Sequence, residues 1–188
     1  MHVSSTRRRR RRLWVSAVVL VVVALAAVVV FTGKPMVSGG GPEGPTQAKA
    51  IDELLDSSTT GRGYLLTAID DINACDVTGS TLIYVRDAAA ARLNLLNQTG
   101  DTVVTDLPDG DRIKVDLTAA MRASFAADQA YLTWVLAAHG ACPARSGSAY
   151  APVVAANEAA DRAKRRFLAD WNPVARKYGL AQRNQTVI

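Results

Sequence analysis

"RIKVDLTAAMRASFAADQAYLTWVLAAHGAC", residues 112–142, decides the fold of this chain. Ile113, Leu117, Met121, Phe125, Leu132, Val135 and Leu136 recur at helical spacing, with none of the alternation of a half-buried strand. The pattern predicts a helix that stops at His139-Gly140, with Pro143 beyond it. One apolar stripe on a long helix has to be covered by other helices. The flanking sequence supplies three of them.

The first stripe runs from Ala48 to about Ala74, with Ile51, Leu54, Leu55, Leu65, Ile69 and Ile72 on one face. Gly61 and Gly63 interrupt it, each about 1 kcal/mol less favourable than alanine, so the helix is open to a bend there. "CDVTGS" (75–80) ends it, with Gly79 as a turn and Ser80 as the next N-cap. The second stripe uses Leu82, Val85, Ala89, Leu93, Leu96 and Val103, before Pro108 and Gly110 break the chain in "DLPDGD". The fourth, about Tyr150 to Tyr178, carries Ala156, Ala159, Ala163, Phe167, Trp171 and Val174, with a kink or break expected at Pro173. Short connections between four helices predict an antiparallel up-down-up-down four-helix bundle over residues 48–188.

Upstream, "TRRRRRRLWVSAVVLVVVALAAVVVF" (6–31) gives the location. The overall net charge of +5 resembles that of a nucleic-acid binder, but the charge is unevenly placed. Arg7, Arg8, Arg9, Arg10, Arg11 and Arg12 hold six of the 22 basic residues and Lys34 is a seventh. From Lys49 onward 15 basic residues face 16 acidic ones, so no nucleic-acid partner is expected. Residues 13–32 are free of charge and, as a helix, roughly 30 Å long, the thickness of a bilayer's hydrocarbon core. The arginines then read as a topology signal beside anionic lipid: a 12-residue cytoplasmic tail (1–12), a transmembrane helix (13–32) and an extracytoplasmic domain in a cell envelope. Cleavage after the A-x-A match Ala24-Leu25-Ala26 is the weaker reading, because the apolar run continues to Phe31. The five glycines and three prolines of residues 33–47 predict a spacer.

Cys75 and Cys142 are the only cysteines, and in an exported domain an even pair predicts a disulfide. Topology agrees, since helices one and three end at the same pole and each cysteine lies just past one of those ends. His139 is the only histidine outside the N-terminal tail, which argues against a histidine-rich metal site or a thiol or serine nucleophile with a base. At the end of a helix it more often meets free carbonyls. "DLPDGDRIKVD" fails as a calcium loop: with Gly110 at the sixth position, Thr105 and Leu107 stand where ligands belong and no glutamate closes it. A solvated turn with an N-capping aspartate is expected instead. No metal and no cofactor are expected. Phe125, Trp134, Phe167 and Trp171, with Tyr131 and Tyr178, form a candidate aromatic cluster on helices three and four.

Counting down from the cysteines predicts a buried polar layer. Arg62 lies 13 residues before Cys75 and Asp128 lies 14 before Cys142, each interrupting an apolar stripe. At helical rise both sit about 20 Å under the disulfide, so Arg62 and Asp128 are expected to face one another, with Gly61 and Gly63 giving the guanidinium room.

"CDVTGS", "ADQAYLTW" (127–134), the second cysteine and "AKRRFLADWNPVARKYGL" (163–180) resemble the exported helical domains of single-span actinobacterial envelope proteins, over roughly residues 48–188. That resemblance implies location and host type and carries over no catalytic residue. The expected function is a non-enzymatic, membrane-anchored envelope interaction or scaffold module acting on an unidentified envelope partner. The alternative is a small-ligand sensor that signals through a partner, since the cytoplasmic tail is too short to hold an output domain. Paired carboxylates, an activated nucleophile and a metal cluster are all missing from the sequence, so no enzyme is expected.

Overall fold

The computed structural model describes residues 43–138, 141–186 and 188. The arginine tail, the apolar span 13–32, most of the linker and His139 lie outside the described residues. Among the described residues there are four helices and no strand: α1 (Gly44–Asn73), α2 (Gly79–Asp101), α3 (Gly110–Ala137) and α4 (Ala151–Lys177). None of them is long and apolar enough to cross a membrane.

α1 begins inside the segment expected to be linker, which corrects the expected start at Ala48. Pro45 suits the first turn, where its missing N–H has no helical partner to lose. Gln47 is buried, its Nε2 donating to Thr105 Oγ1 at 3.3 Å and its Oε1 accepting from the Asp106 N–H at 2.9 Å. α1 then runs unbroken through Gly61 and Gly63. Gly61 is buried against α2, where a Cβ would stand 3.1 Å from the Ala91 Cβ, whereas Gly63 faces open space. Tertiary packing therefore overrides helix propensity at this point.

Three local expectations change in the same way. Thr78, rather than Ser80, is the N-cap of α2: its N–H donates to Thr81 Oγ1 at 3.1 Å, and Thr81 Oγ1 donates to Asp71 Oδ2 at 2.9 Å. Asp109 does occupy the N-cap position of α3, but with φ 54° and without a capping hydrogen bond; it pairs with Arg112 at 3.3 Å. α4 passes through Pro173 as one helix. Pro173 is exposed, so the carbonyl it leaves without a helical donor, that of Ala169, lies on an exposed flank.

The order of the poles follows from contacts at the helix ends. Cys75 and Cys142 form a disulfide with a Cα–Cα distance of 5.0 Å, joining the end of α1 to the end of α3. At the opposite pole, Gln47 near the start of α1 holds the loop between α2 and α3. The segment after α4 returns to this pole as well. Arg183 Nε and Nη2 donate to Asp52 Oδ1 at 3.0 and 2.6 Å, and Nη1 pairs with Asp56 at 2.7 Å. Asn172 fixes the Arg183 backbone in both directions, at 2.9 and 3.0 Å. The helices are thus arranged up-down-up-down. Sequence neighbours pack along their lengths, whereas α1 and α4 meet at isolated points at most.

The core divides into two apolar clusters. Ile51, Leu55, Ile113, Leu117, Met121, Phe167 and Trp171 fill the end held by Arg183. Ala68, Ile72, Val85, Trp134, Val135 and Val153 fill the disulfide end. Leu93, Val103 and Leu136, expected on inner faces, are exposed. Their stripes are rotated from the expected ones, so that on α2 Ala88, Arg92, Leu95 and Thr99 point inward.

The disulfide closes a separation of 67 residues, worth about 4 kcal/mol through chain entropy. Replacing both cysteines by serine is expected to lower the unfolding free energy by about that amount in urea titration, and reductant should leave the double variant unchanged.

Candidate functional site

Between the two clusters every helix interrupts its apolar face with a polar residue. Arg92 on α2 continues the spacing of Val85, Ala88 and Leu95. Asp128 and Ser124 on α3 stand between Met121 and Tyr131. Lys164 on α4 lies between Ala160 and Phe167. All four are buried, and Arg62 on α1 is half-buried beside them.

At the centre, Arg92 Nε lies 3.9 Å from Asp128 Oδ2, with the two side chains 4% and 3% exposed. The charges attract at that distance, but it is too long for a hydrogen bond. Arg92 Nη1 reaches only the Met121 sulfur, at 4.0 Å. Arg92 Nε, Asp128 Oδ2 and Ser124 Oγ consequently have no hydrogen-bond partner among the described residues. Leaving buried polar atoms unpaired is expensive, more so for charged groups. Trp171 Nε1 shares that condition but stands in the apolar cluster below.

The three unpaired atoms belong to residues that line one cavity of about 240 Å³. Its mouth follows from the packing: Arg62 and Leu66 on α1 and Asn157 and Asp161 on α4 line it, at the seam where those helices barely meet. Arg92, Ser124, Asp128 and Lys164 bring charge and polarity to its lining, and Leu65, Ile69, Ala127 and Tyr131 bring hydrocarbon. Asn157 Nδ2 donates to Tyr131 Oη at 3.1 Å, and burial raises the tyrosine pKa, so its ring stays neutral.

Burial dominates the electrostatics. It pushes the Asp128 carboxyl up to about 6, against the opposing pull of Arg92 and Lys164. It pushes the Lys164 ammonium down to about 8, helped by Arg92 and Arg62 and resisted by Asp161 and Asp128. Burial also works against the Arg92 charge, which Asp128 supports and Arg62 opposes. Such an arrangement can hold a charged or strongly hydrogen-bonding small molecule, exchanging its own unpaired groups for partners.

Asp128 is therefore buried at the level the sequence placed it, but its ion-pair partner is Arg92 and not Arg62. Counting residues from the disulfide gives height and not rotation. α1 and α3 are diagonal, and Arg92 projects from α2 between them. Arg62 lines the same cavity from its mouth. Arg92 and Lys164 were missed because Leu93 was assigned to the inner face of α2, and because Ala163 and Phe167 sufficed to describe α4. The signal available was the spacing of Ala88, Arg92, Leu95 and Thr99. The four aromatic candidates do not form one cluster. Phe167 stacks on Trp171 at 6.2 Å in the lower cluster. Trp134 contacts Tyr131 and Tyr150 at 6.2 and 4.8 Å in the upper one. Phe125 is half-buried and joins neither. No family model, curated protein or solved structure matches the chain.

The shifts fix a pH dependence. Between about pH 4 and 6 the folded state holds a proton on Asp128 that the unfolded state has released, so stability falls as pH rises through that window. Between about pH 8 and 10 the unfolded state holds a proton on Lys164 that the folded state has lost, so stability rises with pH there. The two groups are least favourable from about pH 6 to 8, where both are charged. Urea titration across this range is expected to lose the acid limb in Asp128→Asn and the alkaline limb in Lys164→Met. At pH 7 Lys164→Met should stabilise the fold by roughly 1–3 kcal/mol, since an apolar side chain replaces a poorly paired buried ion.

Proposed function

We propose that this chain is a membrane-anchored extracytoplasmic helical domain that captures a small polar molecule between its helices and acts through an envelope partner. One observation carries the reading: Arg92, Asp128 and Ser124, all buried and each with an unpaired polar atom, line one cavity at the α1–α4 seam. A bundle selected only for stability is better served by apolar side chains at that level, because buried charges without good partners are commonly outdone by packed hydrocarbon. Departures from local consistency of this kind concentrate where function needs them.

The membrane anchor rests on residues 7–32, and the arginines before the apolar block favour an N-terminus in the cytoplasm. In this reading a ligand signal passes through another envelope protein. The scaffold role is the second reading. It is favoured by Tyr64 stacked on Tyr84 at 6.4 Å across α1 and α2, a pair that leaves Tyr64 exposed.

The ligand reading is tested on the full chain in lipid nanodiscs, by melting against a panel of small polar compounds of both charges. At least one class is expected to raise the melting temperature. Arg92→Met/Asp128→Leu/Lys164→Met is expected to melt no lower than the parent and to lose that response. A flat response to every class, together with recovery of a crosslinked envelope partner, sinks the ligand reading in favour of the scaffold. Topology has its own check. A reporter active only outside the cytoplasm should be active when fused after Ile188, and Arg7–Arg12→Gln should mix its orientation.

A further inference from the structure

We propose, resting on the ligand-capture reading above, that the molecule held at the α1–α4 seam is a small monocarboxylate: one carboxylate head on a short apolar body. The first argument is charge. Two buried cations, Arg92 and Lys164, and the half-buried Arg62 stand against one buried carboxylate, Asp128. Asp161 also lines the cavity but is exposed at its mouth, where water screens it. The buried floor thus carries an excess of positive charge. A cationic ligand enlarges that excess; an oxyanion does not, and where its arrival puts a proton on Asp128 it takes over as counter-ion to Arg92 and Lys164 with the net charge unchanged.

Hydrogen-bonding chemistry makes the same choice. Arg92 Nε is donor-only, and its proton has no acceptor among the described residues. The Ser124 hydroxyl is likewise unpaired. The two oxygens of a carboxylate offer acceptors to both, and charge-assisted bonds to a guanidinium are the strong kind. Asp128 Oδ2 needs a donor, which a bare carboxylate does not bring. A proton taken up on Asp128 supplies it, turning that oxygen into a donor toward the ligand. Asp128 faces Arg92 on α2 and Lys164 on α4, with Ser124 on its own helix, Arg62 on α1 and the neutral Tyr131 around the same space. Because burial already raises its pKa to about 6, an incoming anion needs to raise it only a little further for a proton to be taken up near neutrality. Carboxylate binding and proton uptake are therefore coupled.

Shape selects the body. Toward the disulfide end of the charged layer, Leu65, Ile69 and the Tyr131 ring line the cavity with hydrocarbon, and the Tyr131 hydroxyl is engaged by Asn157. A phosphate or a sugar acid finds few donors there. A short branched or cyclic hydrocarbon tail meets an apolar wall, in a cavity of about 240 Å³ that suits a compact molecule.

Four probes separate the outcomes, titrated calorimetrically into the full chain in nanodiscs: 3-methylbutanoate, its neutral amide, the matching primary amine and inorganic phosphate. The proposal expects heat from 3-methylbutanoate alone, with affinity several-fold tighter at about pH 5.5 than at pH 7.5 and net proton uptake in buffers of different ionisation enthalpy. Asp128→Asn should bind it at least as well as the parent but with the pH dependence removed. Lys164→Met, which is expected to fold at least as stably, should weaken it tenfold or more. Binding of the amide, the amine or phosphate in place of the carboxylate overturns the monocarboxylate assignment and leaves the cavity as a ligand site. Carboxylate binding that survives both Lys164→Met and the triple apolar variant overturns the assignment to this site. Silence from all four probes, with a flat response to the wider panel, overturns the ligand-capture reading itself.

Discussion

Arg92 and Asp128 stand 3.9 Å apart inside a helical bundle, with side chains almost wholly removed from water. Taking two such charges out of solvent costs several kcal/mol each, and attraction repays that only when the geometry is good and the remaining polar atoms are satisfied. Neither condition holds, since Arg92 Nε and Asp128 Oδ2 are both left over. The layer is consequently a local weakness that the rest of the fold has to offset. Two apolar clusters, one on each side of it, bury Trp171, Phe167 and Met121 below and Val85, Val135 and Trp134 above. Apolar burial in those clusters, at roughly 25 cal/mol per Å² removed from water, works with the disulfide to offset it.

Covalent and ionic locks at the two poles limit how far the weakness can spread. The Cys75–Cys142 bond ties α1 to α3 at one pole. Arg183 ties the segment after α4 to Asp52 and Asp56 of α1 at the other. Both fasten α1, the helix that lacks extensive packing against α4. With the Gln47 hydrogen bonds to the α2–α3 loop, they hold both ends of α1, while its flank along α4 stays open at mid-height.

Much of this was legible in the sequence because it depends on period and on order. Apolar residues at helical spacing gave four helices, and up-down-up-down order placed Cys75 and Cys142 at one pole before any coordinates were known. Asp128 was legible for the same reason: a carboxylate between Phe125 and Leu132 on an otherwise apolar face has to be either buried or turned away. Rotation about each helix axis was not legible. In α2 the alanines at 88–91 leave several faces equally apolar, so Leu93 was a natural choice for the core, yet Arg92 took the position. Lys164 was hidden by its neighbours Ala163 and Phe167, which already account for the burial of α4. Caps failed for a related reason, since Thr78, Ser80 and Thr81 can each cap a helix, and only Asp71 on the preceding helix decides among them.

The close approach of α1 to α2 has a cause in Gly61. A Cβ on Gly61 would stand 3.1 Å from the Ala91 Cβ and 3.5 Å from the Ala88 carbonyl oxygen, so the bare glycine lets α1 lie close to α2 at that height. Arg62, one residue on, lines the cavity at the α4 seam together with Arg92, Asp128 and Lys164. Gly61 thus serves the close approach of α1 to α2, and the space beside the guanidinium is that of the cavity. The residue that costs helix propensity, and that makes a bend plausible from sequence, is held in the unbroken helix by that contact with α2, beside the seam where α1 barely meets α4.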